Sequence, residues 1–469
     1  MRGYIFQVVG RFDYPQVDFV IEGEEHSSSL SSKAVKDFYV KCQEERYNYK
    51  IIFLVPESLV VKLDGFDHLS LLRDRVKFKA QVKERIDELV GEPINLEDIV
   101  VLQSVGKYKE KDFSIAFENH ADNLVSYMLL ELSKIIDENN DGNIKLIGDI
   151  STGHNIYTTA LMDTLRILII RFKLRRLIQA QPFPNAQLIF IPPIIPGVKK
   201  YEVNFYKYDV RVFFDFPLKD VNFSAINFLD TKVTEGCKKN WGMELNEKNT
   251  VIKKMVNDAK FAFNILKYNT PLAFFDKRII NLEGENPSDG FECLSFLLKY
   301  FEDKRKLSIE NSLLKEEYLK VNRSLAVNVM LSLDLLSSLR KFWEEKILPS
   351  NENSKVDITA IQKVFPETYQ TLGLNKRFLL RDLGEIKELS YKLLKGEEKN
   401  LKELFTENQK EKVHLEKKIS EQKRNFFAHS GFLRELVQVS KEKDRIFLRY
   451  NEKEETIKMI KSWIESPEK

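Results

Sequence analysis

The chain has 469 residues, more than one ordinary core organises, so two or three domains are expected. Its 74 basic and 71 acidic residues leave a net charge of +3, which argues against a protein that coats nucleic acid but leaves room for a local basic groove. Cys42, Cys237 and Cys293 are too scattered for a disulfide framework or a zinc site, and the longest apolar run is cut by prolines and too short to span a bilayer, so a cytoplasmic protein is expected.

In chain order, Tyr4 to Gly10 reads as a short strand closed by glycine, and Leu30 to Glu45 as a helix entered through Ser27, Ser28 and Ser29. Lys50 to Pro56 is a continuous apolar run closed by proline, which suits a strand buried on both faces. His68 to Val90 has the spacing of a charged amphipathic helix, and Asp98 to Ser104 reads as a third strand. A helix over Ala121 to Asn139 and a strand over Ile144 to Ile150 follow. His154 to Ile178 is a helix apolar around its circumference and therefore buried, and Ala186 to Pro192 is a fifth strand. Repeated strand–helix–strand order implies right-handed crossovers and a mainly parallel sheet with helices on both faces. An α/β, Rossmann-like domain is expected over residues 1–200.

Beyond Pro196-Gly197 the pattern changes. Lys200 to Phe216 alternates as a hairpin would, and nearly everything after Ala225 reads as helix. The helices expected are Thr250 to Lys267, Phe291 to Lys306, Leu313 to Lys346, Lys376 to Leu394 and Leu401 to Ala428, with one or two more after Gly431. The reading is a hairpin and helical connector over 201–310 and an all-α domain over 311–469.

In an open parallel sheet, ligands sit beyond the carboxyl ends of the strands. Two loops there carry suitable chemistry. One leaves Gly10 and leads to Ser27, Ser28 and Ser29, where hydroxyls and free backbone N–H groups can hold an anion. The other is Asp149-Ile150-Ser151-Thr152-Gly153-His154-Asn155, in which Gly153 permits close backbone approach and Ser151, Thr152 and Asn155 supply donors and caps. His154 either touches a ligand or caps the helix. Taken singly, each loop reads as an ordinary helix cap; taken together, on one edge of a sheet, they suit a phosphorylated ligand. Neither matches a dinucleotide fingerprint or a P-loop.

In the back half, Arg424-Asn425-Phe426-Phe427-Ala428-His429 ends a long charged helix, with Gly431 as its stop. Asn425 and His429 are four apart and share a face, and Arg424 is long enough to reach toward them. Histidine moves protons and arginine stabilises charge on phosphorus, which is what RNA cleavage by its own 2′-hydroxyl requires. The same segment also reads as a surface helix end whose Phe426 and Phe427 enter the core. The basic stretch Arg171, Lys173, Arg175 and Arg176 reads as a solvated helix end. No histidine spacing suggests a metal site.

The combination resembles the CARF–HEPN ribonucleases that accompany type III CRISPR systems. Lys50 to Ser58 (KIIFLVPES) and Asp149 to Asn155 (DISTGHN) are similar to the second-strand and fourth-strand motifs of the CARF domain. The serine run is similar to the loop that contacts the cyclic ligand, and Arg424 to His429 (RNFFAH) to the HEPN pattern of Arg, a polar residue and a following His. Many relatives carry D-[LI]-T-H-G-x-N at the fourth strand. Here Ser151 and Thr152 replace the Thr and the His, His154 takes the variable position, and Gly153 and Asn155 are kept. The resemblance implies a cyclic oligoadenylate, with cyclic tetra-adenylate the expected activator, held by Gly10, Ser27, Ser28, Ser29 and Ser151 to Asn155. It also implies a homodimer in which Arg424, Asn425 and His429 of two chains form one cleft for single-stranded RNA, with no metal ion. Two other classes stand beside it: a ligand-sensing transcription regulator, which the near-zero charge and the absence of a compact basic helix–turn–helix disfavour, and a purely structural helical scaffold.

Overall fold

The computed structural model describes residues 2–467 except 43–47, 64, 111–112, 138–143, 152–154, 177–184, 194, 196, 211–242, 284–285, 304, 311–312, 349–350, 353–354, 373 and 407–418. The front half is built on a six-stranded sheet. Its order is Asn204–Lys207, Asn185–Phe190, Ile144–Asp149, Arg2–Val8, Asn48–Pro56 and Ile99–Leu102. Five of these strands run parallel, and only the edge strand Asn204–Lys207 is antiparallel.

Strand alternation divides the core in two. Tyr4, Phe6 and Val8 point into one apolar cluster with the helices Ala121–Asp137 and Asn155–Arg175, while Ile5 and Val9 point into the other with Ser31–Lys41 and Arg75–Val90. Phe78, Val82, Ile86 and Val90 recur every four residues, which gives the Arg75–Val90 helix its one buried face. The expected single helix from His68 to Val90 is instead two, His68–Arg73 and Arg75–Val90. Asp74 separates them, its carboxylate accepting from the Lys77 N–H as an N-cap.

The chain lays down Arg2–Val8, moves outward through Asn48–Pro56 to Ile99–Leu102, then returns to the other side through Ile144–Asp149. The switch point therefore lies between Arg2–Val8 and Ile144–Asp149, where crossovers diverge and leave a crevice at the carboxyl edge.

Two small sheets correct the sequence reading of the front half. Ser27 and Ser28 do not enter a helix; they end the strand Glu24–Ser28, which pairs with Val17–Ile21 across a two-residue turn at Glu22 and Gly23, both at positive φ. The segment Lys200–Lys207 is not a hairpin. Lys200–Glu202 pairs with Val17–Ile21 and Asn204–Lys207 with Asn185–Phe190; residues 211–216 lie outside the described residues.

The back half is helical around a hub, Arg323–Phe342, which packs on Asn155–Arg175, Met243–Lys267 and Pro287–Asp303. One continuous apolar cluster runs from the front sheet through this hub to Trp463 and Ile464 near the end of the chain. The expected all-α character of the back half does not hold. Leu313–Glu317, expected as the start of a helix, is a strand paired with Lys306–Glu310 and with Phe113–Glu118 of the front half. Farther on, Val437–Glu442 and Arg445–Tyr450 form an antiparallel hairpin inside a five-stranded sheet, where helix is expected. Val437 and Val439 on one strand and Ile446, Leu448 and Tyr450 on the other face the core at every second position, and Lys443 takes the left-handed turn conformation (φ 56°).

The basic stretch at the end of Asn155–Arg175 is also corrected. Arg171 is 2% exposed and Arg176 is buried. Arg171 donates to the Asp334 carboxylate of the hub (Nε–Oδ2 2.5 Å, Nη2–Oδ1 3.3 Å), and Arg175 Nε pairs with the same carboxylate. Among the described residues, no helix is long and apolar enough to cross a membrane.

Candidate functional site

At the switch point, buried polar side chains tie the carboxyl ends of the strands to the first helix. Ser31 Oγ donates to Asp149 Oδ2 at 2.5 Å, and Ser32 Oγ donates to Gln7 Oε1; all four residues are buried. The Ser151 N–H donates to Asp149 Oδ1 at 2.9 Å, and the Ser151 hydroxyl accepts from the Ile191 N–H at 3.1 Å. Burial pushes the Asp149 carboxyl up, against the hydrogen bonds from Ser31 and Ser151 that hold it down.

The expected ligand residues divide accordingly. Gly10, Ser28, Ser29 and Ser151 come to this carboxyl edge. Gly10 donates its N–H to Tyr14 Oη at 3.1 Å, and the buried Ser28 hydroxyl accepts from the Leu30 N–H at 3.1 Å. Ser27 is exposed and paired opposite Asp18, with its hydroxyl 3.4 Å from Gln16 Nε2. Asn155 is exposed at the head of Asn155–Arg175, and Thr152, Gly153 and His154 lie outside the described residues. The residues that hold the edge together, Gln7, Ser31 and Ser32, escape sequence reasoning. Ser31 and Ser32 belong to the same serine-rich segment, but its first three serines draw attention as the helix entrance, and the helix begins at Ser31.

A buried ionic cluster sits beside this edge. Glu57, which follows Pro56 directly, meets Arg75 (Nη2–Oε1 2.6 Å), Arg305 (Nη1–Oε1 3.1 Å) and the Tyr318 hydroxyl. Arg75 also pairs with Glu302, and Arg305 with Glu316 at 3.1 Å. Three carboxyls thus share two guanidinium groups. Burial, reinforced by the charge of Glu57, pushes the Glu316 carboxyl up from its ordinary 4.5 to about 8. Between those values the folded chain holds a proton that the unfolded chain has released. The stabilising contribution is therefore present below pH 4.5 and is lost as pH rises through 8, with a slope of at most about 1.4 kcal/mol per pH unit. Urea unfolding between about pH 5.5 and about pH 8.5 is expected to show falling stability in the native sequence and a flatter profile in Glu316→Gln; parallel profiles would refute the assignment.

In the back half, the helix Ile419–Ala428 presents the second candidate group. Phe426 is fully buried against Trp463 and Tyr450, with ring centroids 5.4 and 6.4 Å away, and Phe427 is half-buried against Tyr268. This apolar face fixes the helix. Arg424 and His429 are exposed on the other side and Asn425 is half-buried. Among the described residues, no side-chain hydrogen bond or ion pair engages any of the three. The His429 N–H donates to the Asn425 carbonyl at 3.0 Å, closing the last turn. The chain then reverses through Ser430 (φ 53°) and Gly431 (φ 78°), whose N–H reaches back to the Phe426 carbonyl at 2.8 Å. Among the described residues, an arginine, an amide and an imidazole thus stand unengaged at the end of a helix anchored by Phe426, as a proton-transfer and phosphate-binding group requires.

Comparison with known families gives two matches. The model of the CARF domain of the CRISPR system endoribonuclease Csx1 matches residues 4–184. The model of the HEPN domain of the same endoribonuclease matches residues 372–452. No curated protein matches the chain. The first stretch holds four strands of the six-stranded sheet, including the two that flank the switch point; the second holds Arg424, Asn425 and His429.

Proposed function

The chain belongs to the CARF–HEPN ribonucleases associated with type III CRISPR systems, and from that premise we propose that it is a cytoplasmic endoribonuclease that cuts single-stranded RNA when a cyclic oligoadenylate binds its front domain. The observation that carries the reading is the state of Arg424, Asn425 and His429: engaged by no side chain among the described residues, on a helix anchored by Phe426, inside the segment that matches a HEPN domain.

The reaction needs no metal ion. The RNA 2′-hydroxyl attacks the adjacent phosphorus as His429 takes part in moving its proton, Arg424 neutralises the charge that builds on the phosphorane, and the 5′-oxygen leaves with a proton. The products are a 2′,3′-cyclic phosphate and a 5′-hydroxyl. Two chains pair, and their Arg424 and His429 side chains line one cleft. The cyclic ligand, taken to be cyclic tetra-adenylate, sits at the carboxyl edge by Gly10, Ser28, Ser29, Ser151 and Asn155, and binds the cleavage-competent dimer more tightly than the resting one. Labelled single-stranded RNA incubated in EDTA with cyclic tetra-adenylate or cyclic hexa-adenylate is expected to be cut with one ring and not without it. Absence of cleavage with either ring would overturn the reading, and sequence-specific DNA binding would favour a regulator.

A further inference from the structure

The end of the Ile419–Ala428 helix is docked on the end of another helix, and the two ends have the same form. The Met243–Lys267 helix finishes with Asn269 at positive φ (55°), the Asn269 N–H donating to the Leu266 carbonyl at 3.1 Å and the Thr270 N–H to the Ile265 carbonyl at 2.9 Å. The Ile419–Ala428 helix finishes with Ser430 at positive φ (53°) and the Gly431 N–H reaching Phe426. Both are left-handed caps with a six-to-one hydrogen bond.

The caps meet position by position. Asn269 Nδ2 donates to Ser430 Oγ at 2.9 Å, and Ser430 Oγ donates to Asp382 Oδ2 at 2.9 Å. Ser430 is fully buried and Asp382 nearly so. Thr270 lies against Gly431, where an added Cβ would come within 3.1 Å of the Thr270 Cβ and of the Tyr450 hydroxyl oxygen; that hydroxyl donates to the Gly431 carbonyl at 3.2 Å. The residue next to this joint is His429.

We infer that Asn269 and Ser430 are positioning residues, and that their hydrogen bond sets the place of His429 for RNA cleavage. The inference rests on His429 being catalytic. The Met243–Lys267 helix packs on the hub Arg323–Phe342, and the hub packs on Asn155–Arg175, which starts at the carboxyl edge of the front sheet. The joint is therefore the last contact in a continuous line of packed helices that ends at His429. Stability alone does not require a donor at 269, because Ser430 keeps Asp382 as its partner.

The test uses the full-length protein and glycine substitutions. Both positions have positive φ, so Asn269→Gly and Ser430→Gly remove the side chains while suiting the backbone. At a saturating concentration of whichever cyclic adenylate supports cleavage, each variant is expected to lose about 10-fold or more in kcat, since small misplacements of a reacting group are costly. KM for RNA is expected to stay unchanged, and the double variant is expected to be no slower than the slower single one. A kcat within about twofold of the native value in either single variant, with His429→Ala inactive, would overturn the inference and leave the catalytic reading standing. Multiplying losses in the double variant, or a raised KM with kcat unchanged, would also overturn it. Activity retained by His429→Ala would overturn both. Thermal melting separates misfolding from misplacement, and if Ser430→Gly unfolds, Asn269→Gly decides, because it leaves the bond from Ser430 to Asp382 in place.

Discussion

Replacing His429 with alanine is expected to slow RNA cleavage by about 10²–10⁴-fold, the usual contribution of a positioned acid or base. The side chain is exposed and, among the described residues, makes no hydrogen bond or ion pair that alanine would remove, while the turn around it is held by backbone and by its neighbours: the His429 N–H on Asn425, the Gly431 N–H on Phe426, and Ser430 on Asp382. Stability is therefore expected to change by no more than about 0.5 kcal/mol, which makes the loss of rate chemical. Arg424→Ala is expected to act on the same step, through lost stabilisation of phosphorane charge, at about 10²–10³-fold. Residues that act as a unit do not add, so the double variant is expected to be little slower than His429→Ala alone. Single-turnover rates on labelled RNA, read beside thermal melting curves, check all three. A His429→Ala rate close to the native one, with an unchanged melting curve, would remove His429 from the chemistry.

The candidate cleavage group is legible in the sequence because it is local: Arg424, Asn425 and His429 share six consecutive residues, and the helix that presents them is stopped by the neighbouring Gly431. Its supports are not legible. Asn269 and Asp382 lie 161 and 48 residues from the Ser430 they hold, and no spacing rule links them. The same contrast runs through the fold. Asn48–Pro56 and Asn155–Arg175 announce themselves because each is buried on several sides and carries a long apolar run. Glu24–Ser28 is a strand with no apolar residue, made so by its partner Val17–Ile21 rather than by its own preference. Val437–Tyr450 carries enough Lys, Glu and Arg on its solvent side to look like another charged helix, and its turn at Lys443 lacks the glycine that would have marked a hairpin. Leu313–Glu317 is a strand because the front half offers it an edge at Phe113–Glu118, which only the assembled fold reveals.

Arg171 shows the cost of reading charge as exposure, and it supplies the second large prediction. A run of four basic residues at a helix end looks solvated, yet its first member is 2% exposed, and the acid that neutralises it is 163 residues away in the hub helix. Asp334 is fully buried and takes both Arg171 and Arg175. Asp334→Ala is expected to cost about 3–5 kcal/mol, because it leaves a buried guanidinium without its counter-charge. Arg175 has part of its side chain in solvent and can turn outward, whereas Arg171 is 2% exposed and cannot. Most of the penalty should therefore belong to Arg171. Removing both charges, as Asp334→Leu with Arg171→Met, is expected to recover most of the stability, since an apolar pair of similar volume replaces a buried ion pair at little net cost. Urea unfolding of the two variants beside the native protein decides the matter. A loss below about 1 kcal/mol in Asp334→Ala would mean that the pair is solvated in practice, and a double variant no better than the single one would mean that Asp334 acts through packing rather than charge. Because the pair joins the helix that begins at the carboxyl edge of the front sheet to the hub on which the Met243–Lys267 helix rests, the single variant is also expected to weaken the dependence of cleavage on the proposed cyclic ligand.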